Sequence, residues 1–189
     1  MLCGIDEAGR GPLAGPLVVA GVVLKKEISG LNDSKILSPK KREALFDEIL
    51  DNSYSHIVFM CNETIDNKGL SYCLKHSILE IMQTINAKAY LMDGNTTFGI
   101  NNLQCKIKAD ATVKEVSAAS ILAKVSRDRY MQNIAKDFPQ YDFEQHKGYG
   151  TKAHIESIKT FGYSPLHRKS FKLKALDIHF EKQQQGLFS

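Results

Sequence analysis

The stretch Gly4-Ile-Asp-Glu-Ala-Gly-Arg-Gly-Pro-Leu-Ala-Gly-Pro16 limits what this chain can fold into more than any other segment. It places Asp6 and Glu7 at the end of a short apolar run, Met1 to Ile5, and follows them with turns that glycine permits and proline fixes. A strand that stops in acids and then in glycines offers side chains and backbone at one rim. Behind it, Leu17 to Leu24 is β-branched and unbroken and reads as a buried strand. That strand excludes a dinucleotide loop, whose spacing Gly9-x-Gly11-x-x-Ala14 satisfies, because such a loop must open a helix at its glycines. The half P-loop Gly4-x-x-x-x-Gly9 fails as well, since Arg10-Gly11 stands where Lys and Ser or Thr would hold phosphate and Mg²⁺.

With 189 residues and 43% hydrophobic content, one well-buried domain over 1–180 is expected, its basic helical C-terminal part spanning about 141–180, with a flexible polar tail over 181–189. The longest apolar run, Leu13 to Leu24, is too short for a bilayer and no signal-type segment precedes it, so a cytoplasmic protein with no membrane contact is expected, as a monomer. Cys3, Cys61, Cys73 and Cys105 lie far apart without a C-x-x-C pair, which favours buried free thiols over disulfides or zinc. Net charge is +4, yet Gln145 to Lys182 alone holds eight Lys or Arg against three acids. Such a face suits a polyanion such as nucleic acid; a solvated lysine-rich helix surface has the same composition.

Further along, Ser38 as N-cap and Pro39 at the first position predict a helix to about Asn52. His56 to Cys61 reads as a strand, and Leu70, Leu74, Ile78, Ile81 and Ile85 form a helical stripe that covers one face of a sheet. Ala89 to Met92 is a short strand ending in Asp93-Gly94-Asn95. Leu103 to Lys108 is another, delivering Asp110 at its end. Thr112-x-x-Glu115 reads as a capping box that opens a helix to about Phe138, whose Ser117, Ala118, Ala119 and Ser120 allow close packing on the sheet. Tyr141 to His154 reads as a polar loop, followed by a helix from Thr151 to Phe161 closed by Gly162, and by a last helix. The order predicts a mixed sheet with helices on its faces.

Asp6, Glu7, Asp93 and Asp110 thus come from three strand ends, where open α/β sheets place their ligands. Carboxylates brought together push protons back onto one another unless a counter-charge is present. All-oxygen ligation selects Mg²⁺ or Mn²⁺, and several carboxylates can bridge two ions about 4 Å apart for in-line phosphodiester displacement, one activating water and the other stabilising the leaving 3′-oxygen. Consecutive strand residues face opposite ways. Either the strand bends at Glu7, or Glu7 acts from outside the metal's immediate ligands.

The chain resembles the bacterial ribonucleases HII, type 2 ribonucleases H, through Gly4 to Pro16, Asn32-Asp-Ser-Lys35, Met92-Asp-Gly-Asn95, Ala118-Ala-Ser-Ile-Leu-Ala-Lys-Val-Ser-Arg-Asp128, His146-Lys-Gly-Tyr-Gly-Thr151 and Ser164-Pro-Leu-His-Arg-Lys-Ser-Phe171. The resemblance implies an α/β, RNase H-like mixed five-stranded sheet flanked by helices, with a helical C-terminal extension. It also implies endonucleolytic cleavage of the RNA strand of RNA/DNA hybrids and incision 5′ of single ribonucleotides in duplex DNA, leaving 3′-OH and 5′-phosphate ends. Asp6, Glu7, Asp93 and Asp110 match the family's catalytic metal-binding carboxylates, and Mn²⁺ or Mg²⁺ is the implied cofactor. Gly9, Arg10 and Gly11 match the segment that recognises the 2′-hydroxyl, the group that separates RNA from DNA at a site. Tyr149 matches the tyrosine that packs on the next deoxyribose. Lys35 matches a phosphate contact, to which Arg168 and Lys169 would add others. Ile36, Ala109 and Tyr163 depart from the family's usual Lys, Gly and Pro. The tail, Gln184 to Phe188, resembles the Gln-x-x-Leu-Phe peptide that docks on the sliding clamp. Other readings of the same acids are a DNA exonuclease or strand-transfer enzyme of the same superfold, or a non-catalytic nucleic-acid module.

Overall fold

The computed structural model describes residues 1–31, 37–172 and 176. Lys35, the tail peptide Gln184 to Phe188 and all but one residue of the expected last helix lie outside them. Five strands, β1 (Leu2–Ala8), β2 (Leu17–Leu24), β3 (Ser53–Met60), β4 (Ala89–Asp93) and β5 (Leu103–Lys106), form one sheet in the order β3-β2-β1-β4-β5. β1 pairs antiparallel with β2, and β2 with β3; β1 and β4 are parallel, as are β4 and β5. The parallel register Ile5↔Met92 brings the carboxyl ends of β1 and β4 side by side, which is what carries Asp6 toward Asp93.

Six helices stand among the described residues: α1 (Pro39–Asp51), α2 (Asn62–Lys68), α3 (Leu70–Thr84), α4 (Lys114–Ala135), α5 (Phe143–His146) and α6 (Lys152–Phe161). α1 begins as expected, with the Ser38 hydroxyl accepting the Lys41 N–H and Pro39 at the first position. α6 is capped by the Thr151 hydroxyl and ends at Gly162, whose φ of 77° suits glycine. α2 was not foreseen. The Thr112 capping box does not form: Val113 occupies the N-cap position, and the Thr112 hydroxyl instead accepts from Lys106 Nζ at 3.1 Å. The strand expected to reach Lys108 stops at Lys106, because Lys108 turns left-handed into a 3₁₀ turn, Ala109–Ala111.

Strand alternation divides the core. Cys3, Ile5, Val19, Val23 and Met92 meet the predicted α3 stripe of Leu74, Ile78, Ile81 and Ile85 on one face. Val18, Ala20 and Val22 meet Ala118, Ala119, Ile121 and Leu122 of α4 and Phe46 and Ile49 of α1 on the other. A third cluster joins Leu13 and Ala14 to Met131 of α4, Tyr141, Phe143 and Ile158. The expected polar loop from Tyr141 onward is therefore partly core: Tyr141, Phe143, His146 and His154 are buried there, and α5 is a single helical turn. The four thiols are free, with Cys3 and Cys73 buried and Cys61 exposed. No helix among the described residues is long and apolar enough to cross a membrane.

α4 can reach the sheet only because Gly4 has no side chain. A Cβ there would stand 2.2 Å from the carbonyl carbon of Glu115 and 2.3 Å from the Val116 nitrogen, both backbone. Gly4→Ala is expected to destabilise the protein by about 3 kcal/mol, the upper part of the overpacking range, and to be read as a lowered urea midpoint at unchanged slope. An unchanged midpoint would mean that α4 is free to move off β1.

Candidate active site

Asp6 belongs to the even-numbered, α4-facing side of β1, with Gly4. Asp93 follows Met92, which points to the α3 face, and so shares the side of Asp6. Asp110 arrives from the 3₁₀ turn just ahead of α4, and that turn is tied to Asp93 directly: the Ala109 N–H donates to Asp93 Oδ1 at 2.8 Å. The three aspartates each offer an oxygen within 4.8 Å of the others, with Asp6 and Asp110 buried.

Glu7 does not join that group. β1 stays in regular pairing with β2 through Glu7↔Val19 and Ala8↔Val18, so the strand does not bend and alternation turns Glu7 away from Asp6. Among the described residues the oxygens that lie together are those of the three aspartates, with Glu7 beside them, which is the second of the two placements expected for Glu7. Glu7 lines the same cavity, and its Oε1 accepts from Arg10 Nη1 at 3.1 Å.

Burial, reinforced by the charges of Glu7 and Asp93, raises the Asp6 carboxyl from its ordinary value of 3.8 to about 8, despite hydrogen bonds from Ser120 and the Glu7 N–H. Three convergent oxygens, one on a carboxyl that resists ionisation for want of positive charge, fit a hard divalent cation.

These acids open on a cavity of about 350 Å³ whose other walls are Gly9, Arg10 and Gly11, Arg42 of α1, Ser120 and Lys124 of α4, and Tyr149. Thus Asp6, Glu7, Asp93, Gly9, Arg10, Gly11 and Tyr149 converge as expected, with Asp110 completing the aspartate group. The Tyr149 ring, 42% exposed, has Lys124 Nζ at 6.0 Å and the Arg127 guanidinium carbon at 5.6 Å from its centroid.

Arg168 takes a different place from the one expected. It is 1% exposed, and its Nε and Nη1 donate to the carbonyls of Gly15 (2.9 Å) and Arg10 (3.2 Å), so it braces the glycine loop from within instead of meeting a phosphate. Lys169 is exposed on the far side of that turn, where its N–H and that of Ser170 donate to Asp66 of α2. It does not line the cavity.

Sequence reasoning passed over Arg42, Lys124 and Arg127. Arg127 is fully buried, and donates from Nε to Pro16 O (2.9 Å), from Nη2 to Ala14 O (3.0 Å) and from Nη1 to Lys147 O (2.9 Å). It ties the glycine loop to the loop that carries Tyr149. The signal was present as a polar stripe, Ser120, Lys124 and Arg127, spaced by four and three on a helix otherwise buried by small apolar residues. Arg42 sits in the first turn of α1 with no comparable pattern.

A cation at Asp6 must displace a proton below the pH at which that carboxyl ionises. Affinity for Mn²⁺ is therefore expected to rise about tenfold per unit as pH approaches about 8, to level off above it, and to release close to one proton per ion, measurable by calorimetry in buffers of different ionisation heat. The sign for the metal-free fold is the reverse. The neutral carboxyl's advantage is complete below 3.8 and is lost as pH rises through about 8. Affinity independent of pH would contradict the assignment of Asp6 as a ligand.

Comparison with known proteins agrees with this geometry. A model of the family described as Ribonuclease HII matches residues 3–174. The Ribonuclease HII of Aliarcobacter butzleri is 64% identical over 189 residues, covering 99% of this chain and 98% of that protein. Among solved structures, ribonuclease H2 from Pyrococcus horikoshii superposes with a TM-score of 0.81 at 26% identity, covering 97% of this chain and 99% of that one. The RNase HII of Archaeoglobus fulgidus, solved as a complex with PCNA, gives 0.78 at 30% identity, covering 89% and 92%.

Proposed function

The chain belongs to the ribonuclease HII family, RNase H-type endonucleases that act on RNA/DNA hybrids, and from that premise we propose how this site chooses and cuts its substrate. The substrates are the RNA strand of hybrids and single ribonucleotides in duplex DNA, incised on the 5′ side to leave 3′-OH and 5′-phosphate ends. Asp6, Asp93 and Asp110 hold Mg²⁺ or Mn²⁺, two ions when substrate is bound. A divalent cation held by these aspartates would supply Lewis-acid polarisation of the phosphodiester and lower the proton affinity of a bound water at neutral pH. Glu7 restrains Arg10 and meets the metals only when substrate draws it in.

Selection rests on the chain's own groups. Arg10, Arg42 and Lys124 give the acidic centre a cationic border, which suits a phosphate backbone that must approach carboxylates without being repelled. Lys35, by its match to the family, and the exposed Lys169 would add phosphate contacts outside this cavity. Tyr149 packs on the deoxyribose after the ribonucleotide, where a further hydroxyl would clash.

The observation that carries the reading is Gly11. Its backbone is not left-handed, and among the described residues a Cβ on it would meet no atom within 4 Å. Nothing in the folded chain requires a glycine there, yet the position faces the cavity. The space is accounted for by a ligand that comes within backbone distance, as a 2′-hydroxyl read by main-chain groups must. By contrast Gly9 answers to the protein, with φ at 96° and the Arg127 side chain 2.3 Å from its would-be Cβ.

The test uses duplex DNA with one ribonucleotide, an RNA/DNA hybrid and all-DNA duplex, each with Mg²⁺, Mn²⁺ or EDTA. Metal-dependent incision of the first two is expected. Cutting of all-DNA duplex would favour the exonuclease or strand-transfer alternative, and no cutting with any metal a binding module. Gly11→Ala is expected to leave the melting temperature unchanged and lower kcat/KM at least tenfold on both ribonucleotide substrates; unaltered activity would remove the 2′-hydroxyl role.

We also propose that Gln184 to Phe188 docks on the sliding clamp, supported by the peptide pattern and by the A. fulgidus relative solved with PCNA. Deleting Gly186 to Ser189 is expected to abolish clamp binding without changing cleavage of short duplexes; binding that survives the deletion would contradict it.

A further inference from the structure

His146, His154 and His167 are buried together behind Tyr149, and none of them reaches the cavity. The His146 and His154 rings stack with centroids 4.3 Å apart at 18°, and His154 Nε2 lies 3.0 Å from His167 Nε2. Their partners determine where each proton sits. His167 Nδ1 accepts the Ser164 N–H at 2.8 Å, so the neutral ring carries its proton on Nε2 and donates it to His154. His154 therefore accepts at Nε2 and is protonated at Nδ1, which donates to the Tyr149 carbonyl at 2.9 Å. His146 accepts the Gly148 N–H at Nδ1 and donates from Nε2 to the Tyr141 carbonyl. Every ring nitrogen is engaged and none offers a free lone pair, so the trio is not a metal site.

Burial holds His154 and His167 down at about 4, leaving the relay neutral over the whole working range of pH. It is a fixed strut and runs in one direction, from the Ser164 turn through two imidazoles to the main chain of Tyr149. There it meets two other restraints. The Thr151 N–H shares the Tyr149 carbonyl at 2.8 Å, and Arg127 holds the carbonyl of Lys147 two residues earlier. The half-exposed Tyr149 ring meets Lys124 and Arg127, and its height over the cavity also depends on the backbone that these hydrogen bonds hold.

We propose that His154 is a positioning residue for substrate choice: its Nδ1–H, oriented by His167 and by the stack on His146, fixes the Tyr149 main chain so that the ring distinguishes deoxyribose from ribose beside the cut. The inference rests on the reading of Tyr149 given above. It separates His154 from the merely buried residues around it, because loss of the donor moves one ring at the substrate and not the metal centre.

The readout is the ratio of kcat/KM for duplex DNA with one ribonucleotide to kcat/KM for an all-RNA/DNA hybrid. His154→Asn keeps an N–H close to the Nδ1 position, whereas His154→Gln and His154→Phe do not, the latter retaining the ring volume and stack. The ratio is expected to fall about fivefold in His154→Gln and His154→Phe, the size of one net hydrogen bond, and to stay within about twofold of wild type in His154→Asn. In a Tyr149→Ala background, His154→Phe is expected to change the ratio no further. Equal losses on both substrates with a lowered melting temperature would reduce His154 to a structural residue and overturn the inference. If Tyr149→Ala alone leaves the ratio unchanged, the Tyr149 reading fails and takes this inference with it. If Tyr149→Ala shifts the ratio and neither His154→Gln nor His154→Phe does, only the relay is wrong.

Discussion

The contact of α4 with β1 at Gly4 governs most of this molecule. With backbone lying on backbone, the helix runs along the sheet at a fixed height, and one stripe of it then does several jobs in sequence. Ser120 hydrogen-bonds Asp6, Lys124 borders the cavity, Arg127 ties the glycine loop to the loop of Tyr149, and Met131 fills the third core cluster beneath Gly15. At 1.5 Å per residue this covers about 16 Å, enough to join the three aspartates to the tyrosine loop through one rigid element. A side chain at Gly4 would disturb all of these positions at once.

The loops are held in an unusual way for so small a protein. Arg127 and Arg168 are buried without a carboxylate on either guanidinium among the hydrogen bonds described; Arg127 is satisfied by three backbone carbonyls and Arg168 pairs its Nε and Nη1 with two, leaving its Nη2 buried without a partner among the described residues. Their burial carries a desolvation cost, expressed as the lowered affinity of both for their protons. The return is geometric. The segment from Gly9 to Pro16 forms no helix or sheet of its own, so its carbonyls need donors, and a planar guanidinium can serve two or three of them at once. Apolar packing would fill the same space but leave those carbonyls unpaired. The glycine loop and the loop of Tyr149 are thus anchored through their carbonyls.

How far this was legible in the sequence follows from which forces are local. α1 and α6 were readable to within a residue because Ser38-Pro39 and Thr151…Gly162 carry their own caps, and α3 because its stripe has helical period. The convergence of Asp6, Asp93 and Asp110 was legible because three acids follow three apolar strand runs, although a single acid in such a place is ordinarily a solvated turn residue. Thr112 was misread because a capping box competes with tertiary partners, and Lys106 won. Arg168 and the His146–His154 segment were misread for one shared reason. A polar residue in a turn looks solvated until the fold supplies a buried carbonyl or a second imidazole, and those partners lie far away in sequence: Arg168 with Gly15, and His154 with His167.

Glu7 shows the same limit at the site itself. Alternation along β1 left two outcomes open, and pairing with β2 decides between them by keeping the strand straight through Ala8. Held by Arg10 beside the three aspartates, Glu7 still adds to the repulsion that, with burial, raises the Asp6 carboxyl to about 8. A fourth carboxylate forced into that group would raise the cost further before any cation arrived. The straight strand thus fixes which carboxylates converge before any cation arrives.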